Sequence, residues 1–262
     1  MVVIEPPPET PSSALTLAEV DLTFLSRCAG VPDSIINTVT TQKNVQEIGC
    51  EMCESKVVQK VSFTGPMPVA KPLYSTSAST LKKSALPLLC LWILLTDLME
   101  RISIEASGNS PFIVFDDADI EKAVEGTILC KIPQIGTDLC RANCIYVQSS
   151  IHAGFASQLA ERVAAFKVGN RLDETTYICS APTHGLLIHN HAVSKVVRHV
   201  DNTIALGASV LIGGHSPDTT QTKHIGSFYP PTILSDVPTT VMLNRKETFG
   251  PIAALIKFDT EE

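Results

Sequence analysis

The stretch Arg101–Asp119 reads R-I-S-I-E-A-S-G-N-S-P-F-I-V-F-D-D-A-D, and its pattern decides the fold. Ile102 and Ile104 alternate with Ser103, as in a strand with one buried face. Ala106-Ser107-Gly108 are small enough to let backbones approach closely, and Phe112-Ile113-Val114-Phe115 is a short apolar run of the kind buried in a parallel sheet. The stretch therefore reads as two strands meeting at a small-residue turn, with one carboxylate, Glu105, at the join. An acid at a strand end beside a glycine-containing turn is placed like a site residue. The competing reading is a solvated loop acid, the commoner situation for glutamate.

Outward from this stretch, strand and helix alternate. Val2-Val3-Ile4 reads as a strand stopped by Pro6-Pro7-Pro8, and Thr10 or Ser12 can cap a helix carrying Leu15, Leu17, Ala18, Leu22 and Leu25. Ile35–Val39 is β-branched and strand-like, Asn44–Cys53 is a short helix with Val45, Ile48 and Met52 on one side, and Val57–Phe63 is a further strand. Beyond Asp119, helices are expected over Ile120–Lys131, Ala153–Phe166 and Ala192–Leu206, and strands over Ile145–Val147 and Ser209–Ile212. Such alternation predicts an α/β fold with a parallel sheet.

The residues also carry a resemblance. I-E-A-S-G-N-S-P-F from Ile104 is similar to the general-base segment E-L-G-G-x-x-P of the aldehyde dehydrogenase superfamily, with Ala106 and Ser107 as small replacements. Further blocks follow in family order: T-P-S-S-A-L-T-L-A-E from Thr10, K-V-S-F-T-G from Lys60, A-N-C-I-Y-V-Q from Ala142, F-Y-P-P-T-I-L-S-D-V from Phe228 and E-T-F-G-P-I from Glu247. Their wording, with K-F-D-T-E-E at the end, is most similar to succinate-semialdehyde dehydrogenases. The resemblance implies a partial Rossmann-type cofactor domain over residues 1–108 and a partial α/β catalytic domain over 109–262. It also implies NAD or NADP as cofactor, a small-molecule aldehyde as substrate, and homo-oligomers built through an arm that this chain does not show. The crevice rule for open parallel sheets then puts the site where the two domains join, beside Glu105.

Composition is compatible with that reading. The 262 residues are 44% hydrophobic, enough for a sizeable core, and the net charge is -7. With no Lys/Arg cluster longer than Lys82-Lys83, neither nucleic acid nor an anionic membrane is an expected partner. Eight cysteines without a secretory signal point to reduced thiols in an intracellular compartment, and no targeting peptide is visible at Met1–Pro11, although animal relatives implied by the resemblance are mitochondrial. Cys50-x-x-Cys53 and Cys140-x-x-x-Cys144 follow no zinc-binding spacing, and His189 and His191 read as a solvent-facing pair ahead of a helix, so no metal is expected.

Several positions depart from the family pattern. Where relatives read K-P-A-E, with the Lys and Glu against the adenosine ribose, this chain reads Glu5-Pro6-Pro7-Pro8. The family's F-T-G-S-x-x-x-G-K, a helix N-terminus that offers amides to pyrophosphate, is here Phe63-Thr64-Gly65-Pro66-Met67-Pro68-Val69-Ala70-Lys71-Pro72. Gly65 is the surviving turn residue of that loop. Pro66 and Pro68 remove donors, Ala70 replaces a glycine, and Pro72 falls inside the first turns, so either a damaged dinucleotide loop or a plain proline-rich connection is expected. Ser84–Arg101 matches nothing in the family and reads as an insertion, its apolar run being far shorter than the roughly 20 residues that span a bilayer.

The nucleophile loop departs too. In gapless register with G-Q-x-C, Leu139 takes the nucleophile position and Cys140 follows one residue late. The reaction needs a thiolate to add to the aldehyde carbon, a hydride to leave, and water to cleave the resulting thioester. Leucine cannot supply that thiolate. In the family scheme Glu105 activates the water, Glu247 accepts hydrogen bonds from the nicotinamide ribose and Phe249 packs near the ring. The W-N-F-P segment that carries the oxyanion asparagine in relatives does not occur. Two readings follow: a dehydrogenase that uses the displaced Cys140, or a catalytically silent member acting as a binding or interaction module or lacking a stable function.

Overall fold

β1 (Val2–Ile4) opens the chain, and a helical stretch follows: α1 (Pro11–Leu17), a π-helical run over Ala18–Leu25, and α2 (Ser26–Cys28). After these come β2 (Ile36–Thr38), α3 (Val45–Glu54), β3 (Lys60–Gly65), α4 (Met67–Ala78), β4 (Lys83–Ser84) and β5 (Arg101–Ala106). The remaining elements are β6 (Pro111–Val114), α5 (Ile120–Lys131), β7 (Cys144–Gln148), α6 (Ser149–Ala164), α7 (Asn190–Ala205), β8 (Ser209–Ile212), β9 (Thr232–Ser235), α8 (Met242–Arg245) and β10 (Ile252–Phe258). This computed structural model describes residues 1–32, 35–78, 83–84, 101–106, 108–132, 142–166, 187–215 and 227–261. The chain divides into two units, Met1–Ser107 and Gly108–Glu262. β5 and β6, read from sequence as strands meeting at a turn, therefore fall in different units. No helix among the described residues is long and apolar enough to cross a membrane.

In the first unit β1 pairs in parallel with β2, and a separate parallel sheet has the order β3-β5-β4. Thr10 makes no side-chain cap; Pro11 starts α1, where its fixed φ is already helical and its missing N–H costs nothing. The expected apolar face does not bury, since Leu15, Leu17 and Leu25 are 45–55% exposed. α3 and α4 meet at Gly49, where an added Cβ would lie 3.2 Å from Leu73 Cδ2. Ser84 and Arg101, expected as ends of an insertion, are strand residues: Lys83 pairs with Arg101 and Ser84 with Ile102. The segment 85–100 between these strands lies outside the described residues.

The second unit is a five-stranded sheet in the order β6-β7-β10-β9-β8, parallel except for the antiparallel β8–β9 pair. Alternation along the strands builds two cores. Ile145, Val147, Ala253 and Leu255 face a cluster with Val124 and Ile128 of α5 and Phe155 and Leu159 of α6. Cys144, Ile252, Ala254 and Ile256 face a cluster with Val196 and Val200 of α7 and with Leu243 of α8. β6 was expected as a strand buried in a parallel sheet; it is parallel but an edge strand, with Val114 buried, Ile113 53% exposed and Phe115 37% exposed.

Candidate functional site

Pairing of β3 with β5 brings together residues far apart in sequence: Glu105 stands opposite Thr64, and Ala106 opposite Gly65. Both predicted positions therefore lie at the carboxyl ends of neighbouring parallel strands, the end at which such sheets bind ligands. A Cβ at Gly65 would lie 2.5 Å from Phe63 Cζ, the far end of a side chain that can turn aside.

The prolines that follow do not break the helix. Pro66 accepts from Val69 N (2.9 Å) and Ala70 N (3.1 Å), so it occupies the capping position, and Pro68 falls in the first turn, where an N–H has no ladder partner to lose. Pro72 lies inside α4, which continues to Ala78. The plain proline-rich connection is thus corrected to a helix start. Its chemistry as a phosphate cradle is nevertheless reduced: Pro68 offers no donor and the Val69 amide is turned back to Pro66. Glu5, just past β1, is half-buried; burial pushes its carboxyl above the usual range, and Oε1 has no hydrogen-bond partner among the described residues. These residues do not fit a pyrophosphate.

Within the second unit, α7 holds the segment Met242–Gly250. Asn202 Oδ1 accepts from Met242 N at 2.9 Å. His199 Nδ1 shares a hydrogen bond with Thr248 Oγ1, and Lys195 Nζ lies 5.4 Å from the Phe249 ring centroid. Gly250 sits so close to α7 that an added Cβ would lie 2.5 Å from Val196 Cγ2. From the other side Asn143, 2% exposed, donates through Nδ2 to Leu243 O (2.7 Å) and to Asn109 Oδ1 (2.5 Å), and accepts from Thr248 N (3.1 Å) on its Oδ1. Asn109 in turn donates to Asn244 O, and Tyr146 OH to Asn244 Oδ1 (both 2.7 Å).

Thr248, fully buried, is thereby pinned at its amide and at its hydroxyl. Glu247 and Phe249 on either side are half-buried, a carboxylate and a ring held on a fixed backbone. A carboxylate can accept two vicinal hydroxyls and a ring can cover a planar heterocycle, so this segment fits the nicotinamide-ribose end of the cofactor that the resemblance implies.

His199 is 3% exposed, and burial first, then Lys195, Arg198 and Lys246, press its pKa down to about 4, so the imidazole is neutral. Burial pushes the Cys144 thiol up to about 11, and its Sγ donates to Leu243 O at 3.4 Å; it is inert packing. His189 caps α7 by accepting from Ala192 N at 3.0 Å, and its ring meets that of His191 edge-on, so the pair is structural. Among the described residues no group of three His, Cys, Asp or Glu could hold a metal. Leu139 and Cys140 lie outside the described residues.

Sequence reasoning singled out Glu247 and Phe249 and missed Asn143, Thr248 and His199. His199 had a signal: it falls on the α7 face of Ala192, Val196, Val200 and Thr203, a ring nitrogen in an apolar stripe.

The aldehyde dehydrogenase family profile matches residues 1–262. The succinate-semialdehyde dehydrogenase [NADP(+)] of Saccharomyces cerevisiae is 40% identical over 262 residues, 100% of this chain and 46% of that protein. Glutarate-semialdehyde dehydrogenase of Pseudomonas putida is 39% identical over 260 residues, 99% of this chain and 46% of that protein. Among solved structures, succinate-semialdehyde dehydrogenase from Burkholderia pseudomallei superposes with a TM-score of 0.80 at 35% identity, covering 99% of this chain and 46% of that one. An E. coli NADP-dependent enzyme gives 0.80 at 36%, with the same coverage. The chain thus spans about half the length of the relatives it matches.

Proposed function

Because the chain belongs to the aldehyde dehydrogenase family, we propose that it carries the scaffold of an enzyme oxidising succinate semialdehyde to succinate with NAD or NADP, and that turnover is lost in this polypeptide. The observation that carries this reading is Leu139 at the nucleophile position. Thiolate addition is the step on which hydride departure and thioester cleavage both depend, and an aliphatic side chain has no lone pair to offer.

The other residues keep separate roles. Glu105, at the carboxyl end of β5, is the general base of the scheme, and it acts on a thioester that Leu139 does not allow to form. Glu247 and Phe249 bind and orient the nicotinamide end; bound NAD or NADP would accept the hydride. At the pyrophosphate end Pro68 and Glu5 work against binding. NAD affinity is therefore expected to be weaker than about 1 mM, a level that leaves only about 4 kcal/mol.

The test joins titration calorimetry with each dinucleotide to an assay of nicotinamide reduction with succinate semialdehyde, run on the chain and on Leu139→Cys and Cys140→Ala. No reduction by the unaltered chain is the expected result. Activity that disappears in Cys140→Ala would overturn the silent reading and make Cys140 the nucleophile.

A further inference from the structure

We infer that His199 and Asn143 are positioning residues for Glu247 and Phe249, acting through Thr248. The inference rests on the assignment of Glu247 and Phe249 to the nicotinamide end. Its geometry stands apart from that assignment. Thr248 has two polar handles, and each is taken by a buried side chain from a different element: the amide by Asn143 at the entry to β7, the hydroxyl by His199 of α7. Thr248 is fully buried while Glu247 and Phe249 on either side are half-buried, so fixing Thr248 at its amide and hydroxyl fixes the backbone from which the carboxylate and the ring leave. Lys195, one helical turn before His199, completes the arrangement by lying over Phe249.

Packing alone does not require these polar groups. A threonine whose hydroxyl serves no purpose in a sealed core is replaceable by valine of nearly the same shape, and a buried neutral imidazole costs free energy unless it is satisfied. Asn143 is more committed still, because its amide also donates to Leu243 O and Asn109 Oδ1, tying both ends of the 243–248 segment to one side chain. What the network fixes is the direction in which a carboxylate and a ring leave the backbone.

The test uses the full chain and reduced nicotinamide riboside, a probe that carries the nicotinamide and its ribose but no phosphate, followed by saturation-transfer NMR in the millimolar range. Thr248→Val and His199→Leu are expected to weaken binding about tenfold, whereas Thr248→Ser and His199→Asn, which keep an oxygen or nitrogen at the bonded position, bind within about twofold of the unaltered chain. Thermal melts identify any variant that fails to fold; Thr248→Val, which removes one hydroxyl, keeps the question answerable if His199→Leu does not fold. A folded Thr248→Val that binds as the unaltered chain does would overturn the inference while leaving Glu247 and Phe249 in place. Absence of binding by the unaltered chain, or full binding by Glu247→Gln and Phe249→Leu, would overturn the assignment on which it rests.

Discussion

In the first unit Val2, Val3, Leu15, Leu17 and Phe24 are each 40–64% exposed, and the residues described as buried there are Pro6, Cys53, Ala70 and Ser77. In the second unit a single strand, β10, buries Ile252, Ala253, Ala254, Leu255 and Ile256 on both faces. Both units use the same grammar of parallel strands and helices, so the difference lies in sheet size. Two- and three-stranded sheets offer little area for a helix to cover, whereas five strands give each helix a surface to bury against. Local pattern makes the elements; only the sheet decides whether their apolar faces find shelter.

The sharpest way to break this contrast is to truncate one leucine in each unit. Leu255→Ala, at a fully buried position between α5 and α6, is expected to cost about 3 kcal/mol in chemical denaturation. Leu17→Ala, at a position 52% exposed, is expected to stay within about 0.5 kcal/mol. Equal costs would mean that the first unit buries this face.

Acid is expected to act next most strongly, and on the second unit. His199 has its pKa pressed from 6.5 to about 4, and His152, 2% exposed with no partner for Nε2 among the described residues, is shifted the same way by burial and then by Lys257. Between the two pKa values the unfolded chain binds the proton and the folded chain does not, so stability is complete above about pH 6.5 and falls as the pH drops toward 4. For His199 alone the loss reaches ~3 kcal/mol. Unfolding midpoints at pH 7 and 4.5 check this, and His199→Asn should flatten the slope.

The smallest contrast is at helix starts. Asp119 caps α5, accepting from Lys122 N at 3.2 Å, whereas Asn44 precedes α3 without a side-chain cap bond. Asp119→Ala should cost about 1 kcal/mol and Asn44→Ala a few tenths, both measured by denaturation midpoint. Similar values at the two sites would show that the Asp119 bond is not maintained in solution.

What was legible in the sequence follows from what is local. The alternation of Ile145, Val147 and their neighbours announces a strand, and Asp119 before an apolar run announces a helix, because periodicity and capping are properties of adjacent residues. The sheet order was not legible: pairing Ile145 with Leu255 joins positions far apart, and any β-branched strand would have offered the same ladder. Pro66 and Pro68 misled because proline is harmful or neutral according to where the helix begins, a matter of one residue. The family blocks led to Glu247 and Phe249. Asn143 lies in the block A-N-C-I-Y-V-Q, but its bonding was not legible, since two of its partners are the carbonyl of Leu243 and the amide of Thr248, groups that every residue supplies.

The position of β10 has a consequence for synthesis. It is the central strand, joining the β6–β7 pair to the β8–β9 pair, yet among the described strands of this sheet it is the last to leave the ribosome. At 5–20 residues per second, β7 waits roughly 5–20 s before the strand that covers its open edge exists. Through that interval two half-sheets stand with unpaired backbone on facing edges, and Ile145 and Leu234 have shelter on one side only. Chaperone demand should therefore peak just before residue 252 emerges and collapse once residue 258 is free.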